Sequence, residues 1–229
     1  MVSETQNLLK RYIVKKTLFF FSFVLILSGG ILAQSQDKRD IVTPYPVIND
    51  ALRLQQNAIS SPLYAEIFTE LETTGAITWK TNTLVSNPLN NRQSYSSNTE
   101  WLLANYNEKG MAEANNLSFY KSFWRKSKTT AKVKTCSSTV KINIRKINGS
   151  RDKFSWANTL LHERIHSFCL QHTGGQTRPA NMCDMAYIVG DLAEAVLIAQ
   201  TEGTATKSYP NVCPALCEAL SARDITYCN

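Results

Sequence analysis

The chain has 229 residues, a formal net charge of +7, 43% hydrophobic and 19% charged residues. That length suits one ordinary domain able to bury a real core. The basic balance raises nucleic acid as a partner, but no motif supports it and the export features of the N-terminus argue against it.

Lys10, Arg11, Lys15 and Lys16 form a positive N-terminal region, and Leu18 to Leu32 is an apolar run closed by small residues before Gln34. The run is short for a membrane span and has the flanks of a secretory signal, so residues 1–33 are expected to be cleaved after Ala33. An uncleaved signal anchor is the rival. No cysteine stands directly after the run, so a bacterial lipid anchor is not expected. Removal of Lys10, Arg11, Lys15, Lys16 and Glu4 leaves 21 basic and 17 acidic residues, a net charge of +4. Much of the basic character lies between Lys121 and Lys146, for which a solvated face is the default expectation. Residues 34–229 are expected to form a single domain, with 34–60 a candidate N-terminal extension or propeptide.

Residues 34–46 are polar and proline-bounded, an extended lead-in. The spacing of Ile48, Leu52 and Ile59 predicts a helix over 47–59. Ser61-Pro62 starts a second helix with Leu63, Ile67 and Leu71 on its buried stripe, ending at Thr73-Thr74-Gly75. A strand is expected over 76–80, a loop over 81–98, and a helix over 99–107 capped by Asn98 or Thr99. Residues 117–125 are aromatic and ambiguous. The alternation in 139–145 predicts the clearest strand, and Asn148-Gly149-Ser150 a turn. A helix from Trp156 to about Leu170 follows, capped by Ser155, with Trp156, Leu160, Ile165 and Phe168 buried. Met185 to Gln200 is the last long helix, with Ile188, Leu192, Val196 and Ala199 on one face.

All three histidines of the chain fall in one window, His162-Glu163-Arg164-Ile165-His166 and then His172. On a helix His162 and His166 share a face, two neutral imidazoles suit zinc, and Glu163 lies close enough to polarise a zinc-bound water. A catalytic zinc needs three protein ligands. His172 lies six residues after His166, so on an unbroken helix it points roughly 240° away. It joins the site only if the chain reverses first, and Thr173-Gly174-Gly175 marks a helix end. Asp191 and Glu194 are the rival third ligands, or an outer shell that orients the imidazoles.

The pattern H-E-x-x-H-x-x-x-x-x-H resembles that of the metzincin clan of zinc peptidases. The resemblance spans about residues 139–187. It implies His162, His166 and His172 as zinc ligands and Glu163 as the general base. It also implies a Met-turn in Asn181–Tyr187, with Met185 under the ligands and Tyr187 able to approach the metal; Met182 is the weaker candidate. The fold implied is α+β, with a mixed sheet, the motif helix across its back and a small C-terminal lobe. A peptide or protein substrate would lie along a sheet edge that the 140–145 strand neighbours. One departure stands out. The family's glycine is Cys169 here, so the turn is expected a residue or two later.

Six cysteines, Cys136, Cys169, Cys183, Cys213, Cys217 and Cys228, all lie after residue 135. In an exported chain they predict disulfides, with fifteen pairings open. A thiolate ligand at Cys169 and a metal pair at Cys213-x-x-x-Cys217 are the rivals. No cysteine precedes Cys136, so the cysteine latency device of metzincin precursors looks absent. The expected activity is exported, zinc-dependent endopeptidase action with no nucleic-acid partner and no lasting membrane anchor. The alternative is a disulfide-stapled binding protein on the same scaffold without turnover.

Overall fold

Proline at the first helical position opens three of the helices, where its missing N–H costs nothing and its fixed φ favours the turn. These are α1 (Pro46–Ile59), α2 (Pro62–Thr73) and α7 (Pro214–Ser221). The coordinates, a computed structural model, describe residues 43–78, 80–81, 94–109, 113–123, 129–147, 149, 151–174, 178–202 and 211–228. The expected signal segment, the rest of the lead-in up to residue 42 and most of the expected 81–98 loop lie outside the described residues. No described helix is long and apolar enough to cross a membrane.

Between α2 and α7 the chain forms β1 (Lys80–Thr81), α3 (Asn98–Lys109), β2 (Leu117–Tyr120), β3 (Ala131–Val133), β4 (Val140–Asn143), α4 (Ile144–Ile147), α5 (Lys153–Ser167), β5 (Leu170–Gln171) and α6 (Met185–Glu202). The sheet order is β2-β4-β3, with β2 parallel and β3 antiparallel to β4. Val140 and Ile142 point into the core while Lys141 faces out opposite Lys132, which keeps part of the basic stretch solvated. A separate two-stranded ladder pairs β1 with β5. The expected α+β class with a mixed sheet is what the chain forms.

Several boundaries differ from the sequence expectation for local reasons. The predicted 139–145 strand stops at Asn143, whose buried side chain accepts from the Arg145 amide at 3.2 Å and donates to the Thr129 carbonyl at 3.0 Å. An asparagine that satisfies backbone groups this way favours a helix start over a ladder, and α4 follows. The cap of α5 is Asp152, which accepts from the Ser155 amide at 2.9 Å, and not Ser155. The serine hydroxyl donates instead to Glu194 at 2.7 Å. Neither Asn98 nor Thr99 supplies the carboxylate or hydroxyl that closes the start of α3. Ser97 does so, its hydroxyl accepting from the Glu100 amide at 3.0 Å, and Glu72 of α2 adds to it by accepting from the Asn98 and Thr99 amides at 2.6 and 2.9 Å. The expected strand over 76–80 is reduced to a bridge from Thr78 to Asp184 and the two residues of β1. The helix α7 was not anticipated.

The core forms around α5, which packs most extensively on α6 and α1. Trp156, Leu160, Ile165 and Phe168 are buried as expected, together with Ile188, Leu192 and Val196 of α6. The segment expected to form a separate small lobe thus shares one core with the motif helix. The two helices approach closely at Gly190. A Cβ there would stand 2.4 Å from Asn158 Oδ1 and 2.9 Å from the Asn158 carbonyl oxygen. Gly190→Ala is therefore expected to force the helices apart and to cost about 1–3 kcal/mol, read as a lowered midpoint in denaturant unfolding.

Three disulfides close the cysteine set: Cys136–Cys169, Cys183–Cys213 and Cys217–Cys228. Cys213 and Cys217 bond to different partners, so they are not a metal pair. The bridges agree with an oxidising compartment.

A three-histidine candidate metal site

One turn of α5 separates His162 from His166, and their ring centroids lie 5.1 Å apart. The helix ends at Ser167, not near Leu170 as the sequence suggested. The Cys169 amide donates to the His166 carbonyl at 3.0 Å, and Cys169 adopts φ +70°. This left-handed residue reverses the chain at the position of the family's glycine, not later as expected. β5 then runs back along β1 and delivers His172. Its ring centroid lies 5.2 Å from that of His162 and 4.6 Å from that of His166. One ligand atom from each of the three falls within 4.8 Å of the others, a spacing that suits one metal ion.

The outer nitrogens of the rings are turned toward the protein. His166 Nδ1 lies 2.8 Å from the Leu170 carbonyl, which fixes the proton on Nδ1 and leaves Nε2 free as a ligand. His162 bonds the backbone of Ala186. His172 Nδ1 is buried with no hydrogen-bond partner, its nearest counter-group being Asp184 Oδ2 at 3.6 Å. Asp184 is the carboxylate that stands on the outer side of this ring, where an imidazole that binds a metal usually finds its orienting partner. Burial, and then the neighbouring rings, hold His162 well below the ordinary histidine pKa; burial does the same for His166 against the pull of the Leu170 carbonyl. Both imidazoles are accordingly neutral at pH 7, the state that ligates metal.

Asp184 is a site residue that sequence reasoning missed. It is 2% exposed, accepts from the Thr173 amide at 2.8 Å and from the Ala186 amide at 3.1 Å, and so ties the His172 loop to the start of α6. Its only sequence signal was the position of an acidic residue just before an apolar helix, where it reads as a cap.

Glu163 is buried between α5 and the sheet. Burial raises its pKa to about 7, and a hydrogen bond from the Val133 backbone opposes the shift. Val133 belongs to β3, one of the two outer strands of the sheet, and β4 is its neighbour. The segment Asn181–Cys183 forms a turn, and Met185 is the buried first residue of α6. Met182 lies in the turn and is half-buried. Tyr187 packs edge-on to His162 at 4.4 Å and stacks on His172 at 5.1 Å and 22°. Burial raises its pKa, opposed by Arg178.

The rival ligands fall elsewhere. Asp191 and Glu194 do not join the histidine cluster. Asp191 accepts from Asn158 at 3.0 Å and pairs with Arg178. Glu194 accepts from Ser155, from Asn158 at 2.8 Å and from Tyr227 at 3.1 Å. The carboxylate beside an imidazole is that of Asp184. Cys169 is not a thiolate ligand, because it is bonded to Cys136.

Fold and site together define an α+β, disulfide-bonded protein with a preassembled three-histidine group able to hold a metal ion. In comparisons with protein-family models, curated proteins and solved structures, no significant match to this chain was found.

Proposed function

We propose that the protein is an exported zinc metallopeptidase of metzincin type, cleaving peptide bonds within protein or peptide substrates. The observation that carries this is the reversal at Cys169, which brings His172 to the face shared by His162 and His166. These three side chains would hold the zinc. When bound, the ion supplies Lewis acidity, acidifying water and polarising a carbonyl.

The remaining chemistry belongs to the chain. Glu163 stands one residue from His162 with a pKa near neutrality, so its carboxylate takes a proton from water and passes it to the departing amine. The outer strand β3 offers main-chain groups along which an extended peptide aligns. Tyr187, held against two of the rings, would approach the metal from beside them. Met185, the buried first residue of α6, would take the place under the ligands that the metzincin pattern gives its methionine. The three disulfides support action outside the reducing cytoplasm, in secreted or periplasmic space.

Incubation of the purified full chain with casein is expected to give cleavage that a chelator abolishes and added zinc restores. Zinc bound at one per chain with no cleavage of casein or peptide libraries would instead mark a binding protein on the same scaffold. Cleavage indifferent to chelator would remove the metal from the reaction.

A further inference from the structure

We propose that the Cys136–Cys169 disulfide is the positioning device for the third histidine, doing here what a glycine does at such a helix reversal, and that it thereby couples cation affinity to the redox state of this pair. The inference rests on the three-histidine metal site.

Between His166 and His172 the chain must leave α5 and enter β5, and the residue that turns it is Cys169 at φ +70°. A residue with a Cβ adopts the left-handed conformation at a cost of about 1–2 kcal/mol, which glycine does not bear. Something must hold Cys169 there. The Cys169 amide donates to the His166 carbonyl at 3.0 Å, and the Cys136 amide donates to the same oxygen at 2.9 Å. Cys136 also has a positive φ, of 68°. Both half-cystines thus converge on the His166 carbonyl in the last turn of α5, and the sulfur bridge ties the β3–β4 loop to the reversal. Beyond it, the return path is held by the two-residue β1–β5 ladder and by the Thr173 amide on Asp184.

Removal of the bridge leaves two conformations in competition. Cys169 can stay left-handed, or it can return to the right-handed region and let α5 run on. In the second case His172 turns roughly 240° from His166 and leaves the metal face. Reduction by a dithiol does this chemically. The Sγ–Sγ bond breaks, the two sulfurs gain two electrons and two protons, and the dithiol leaves as its own disulfide. Cys136 is half-buried, whereas Cys169 is 9% exposed.

Two variants of the full chain, made in an oxidising compartment with the other four cysteines intact, test the inference. Cys136→Ser/Cys169→Ser is expected to bind zinc about 10–100-fold more weakly than wild type in competition with a chromophoric chelator. Cys136→Ser/Cys169→Gly is expected to recover the wild-type affinity to within about 3-fold, because glycine holds φ +70° without a bridge. In the metal-free state the glycine variant is expected to melt about 3 °C or more above the serine variant, the reverse of their order inside a helix. If the serine variant does not fold while the glycine variant folds and binds zinc, the inference stands. Equal affinities of serine variant and wild type, or a glycine variant no better than serine in both affinity and melting, would overturn it. The metal-free melting order is read without zinc, so a wild type that binds none would defeat the metal site while leaving the turn to be judged by melting alone.

Discussion

Glu163→Gln is expected to keep zinc at one per chain and to lose peptide hydrolysis by about 10³-fold or more. The amide preserves the volume and the bond from the Val133 backbone but has no lone pair basic enough to take a proton from water. General base catalysis contributes about 10²–10⁴-fold, and the group is placed to act twice, on water and on the leaving amine. The substitution also has a signature that needs no substrate. In the metal-free protein, burial raises the Glu163 pKa from its ordinary 4.5 to about 7. Between those values the folded chain holds a proton that the unfolded chain has released. The stabilisation is therefore full below about pH 4.5 and lost as pH rises through about 7, amounting to about 3 kcal/mol. His162 and His166 run the other way. Their folded pKa values lie below the ordinary 6.5, so their stabilisation is present above that value and lost as pH falls. The wild-type profile is thus partly compensated, and the difference between wild type and Glu163→Gln isolates the carboxyl. Denaturation midpoints from pH 4 to 8, measured in chelator, are expected to show that difference changing across the window. A constant difference would place Glu163 in contact with water, and undiminished hydrolysis would remove it from the mechanism.

The site was legible in the sequence where chemistry imposes spacing and illegible where the backbone had to do something unusual. Two histidines four apart on a helix share a face whatever surrounds them, so that half of the cluster needed no structure. The third required a reversal, and the residue that performs it carries a Cβ. Spacing alone shows that a turn is required, but a left-handed cysteine becomes intelligible only once its partner Cys136 is known, and pairing among six cysteines is a tertiary property. Asp184 was hidden for a similar reason. It acts through two backbone amides on either side of the site, and nothing in its neighbours' identity announces that. The cap at Asp152 was missed because Ser155 is an equally good local candidate; the contest was decided by Glu194, which takes the serine hydroxyl across 39 residues of chain. Periodicity located α1, α2, α5 and α6 to within a few residues. It overextended the 139–145 strand because a buried asparagine looks polar in an alternation and yet serves the interior.

Asp191→Asn is expected to destabilise the protein by roughly 2–3 kcal/mol while leaving zinc affinity within about 3-fold of wild type. Asp191 is fully buried on α6, with one oxygen accepting from Asn158 of α5 and the other paired with Arg178. Burial alone pushes its pKa up, and the guanidinium pulls it back. Breaking such a pair from one side strands the remaining charge, which costs about 3–5 kcal/mol when both groups are dry. The Arg178 side chain is 30% exposed, so water recovers part of that loss and the lower range follows. The expected fall in Tm is roughly 5–10 °C. The consequence for the site passes through Arg178. Its guanidinium lies 4.9 Å over the Tyr187 ring, and that ring packs on His162 and His172. With the carboxylate neutralised, Arg178 loses its charge partner on α6 while keeping its bond to the Asn211 carbonyl at 3.2 Å, and the cover over Tyr187 loosens. Tyr187 is not counted among the ligands, so metal content holds while turnover falls. A collapse of zinc affinity in Asp191→Asn would show instead that the carboxylate orients or binds the ion, and the buried network would have to be redrawn as part of the metal centre.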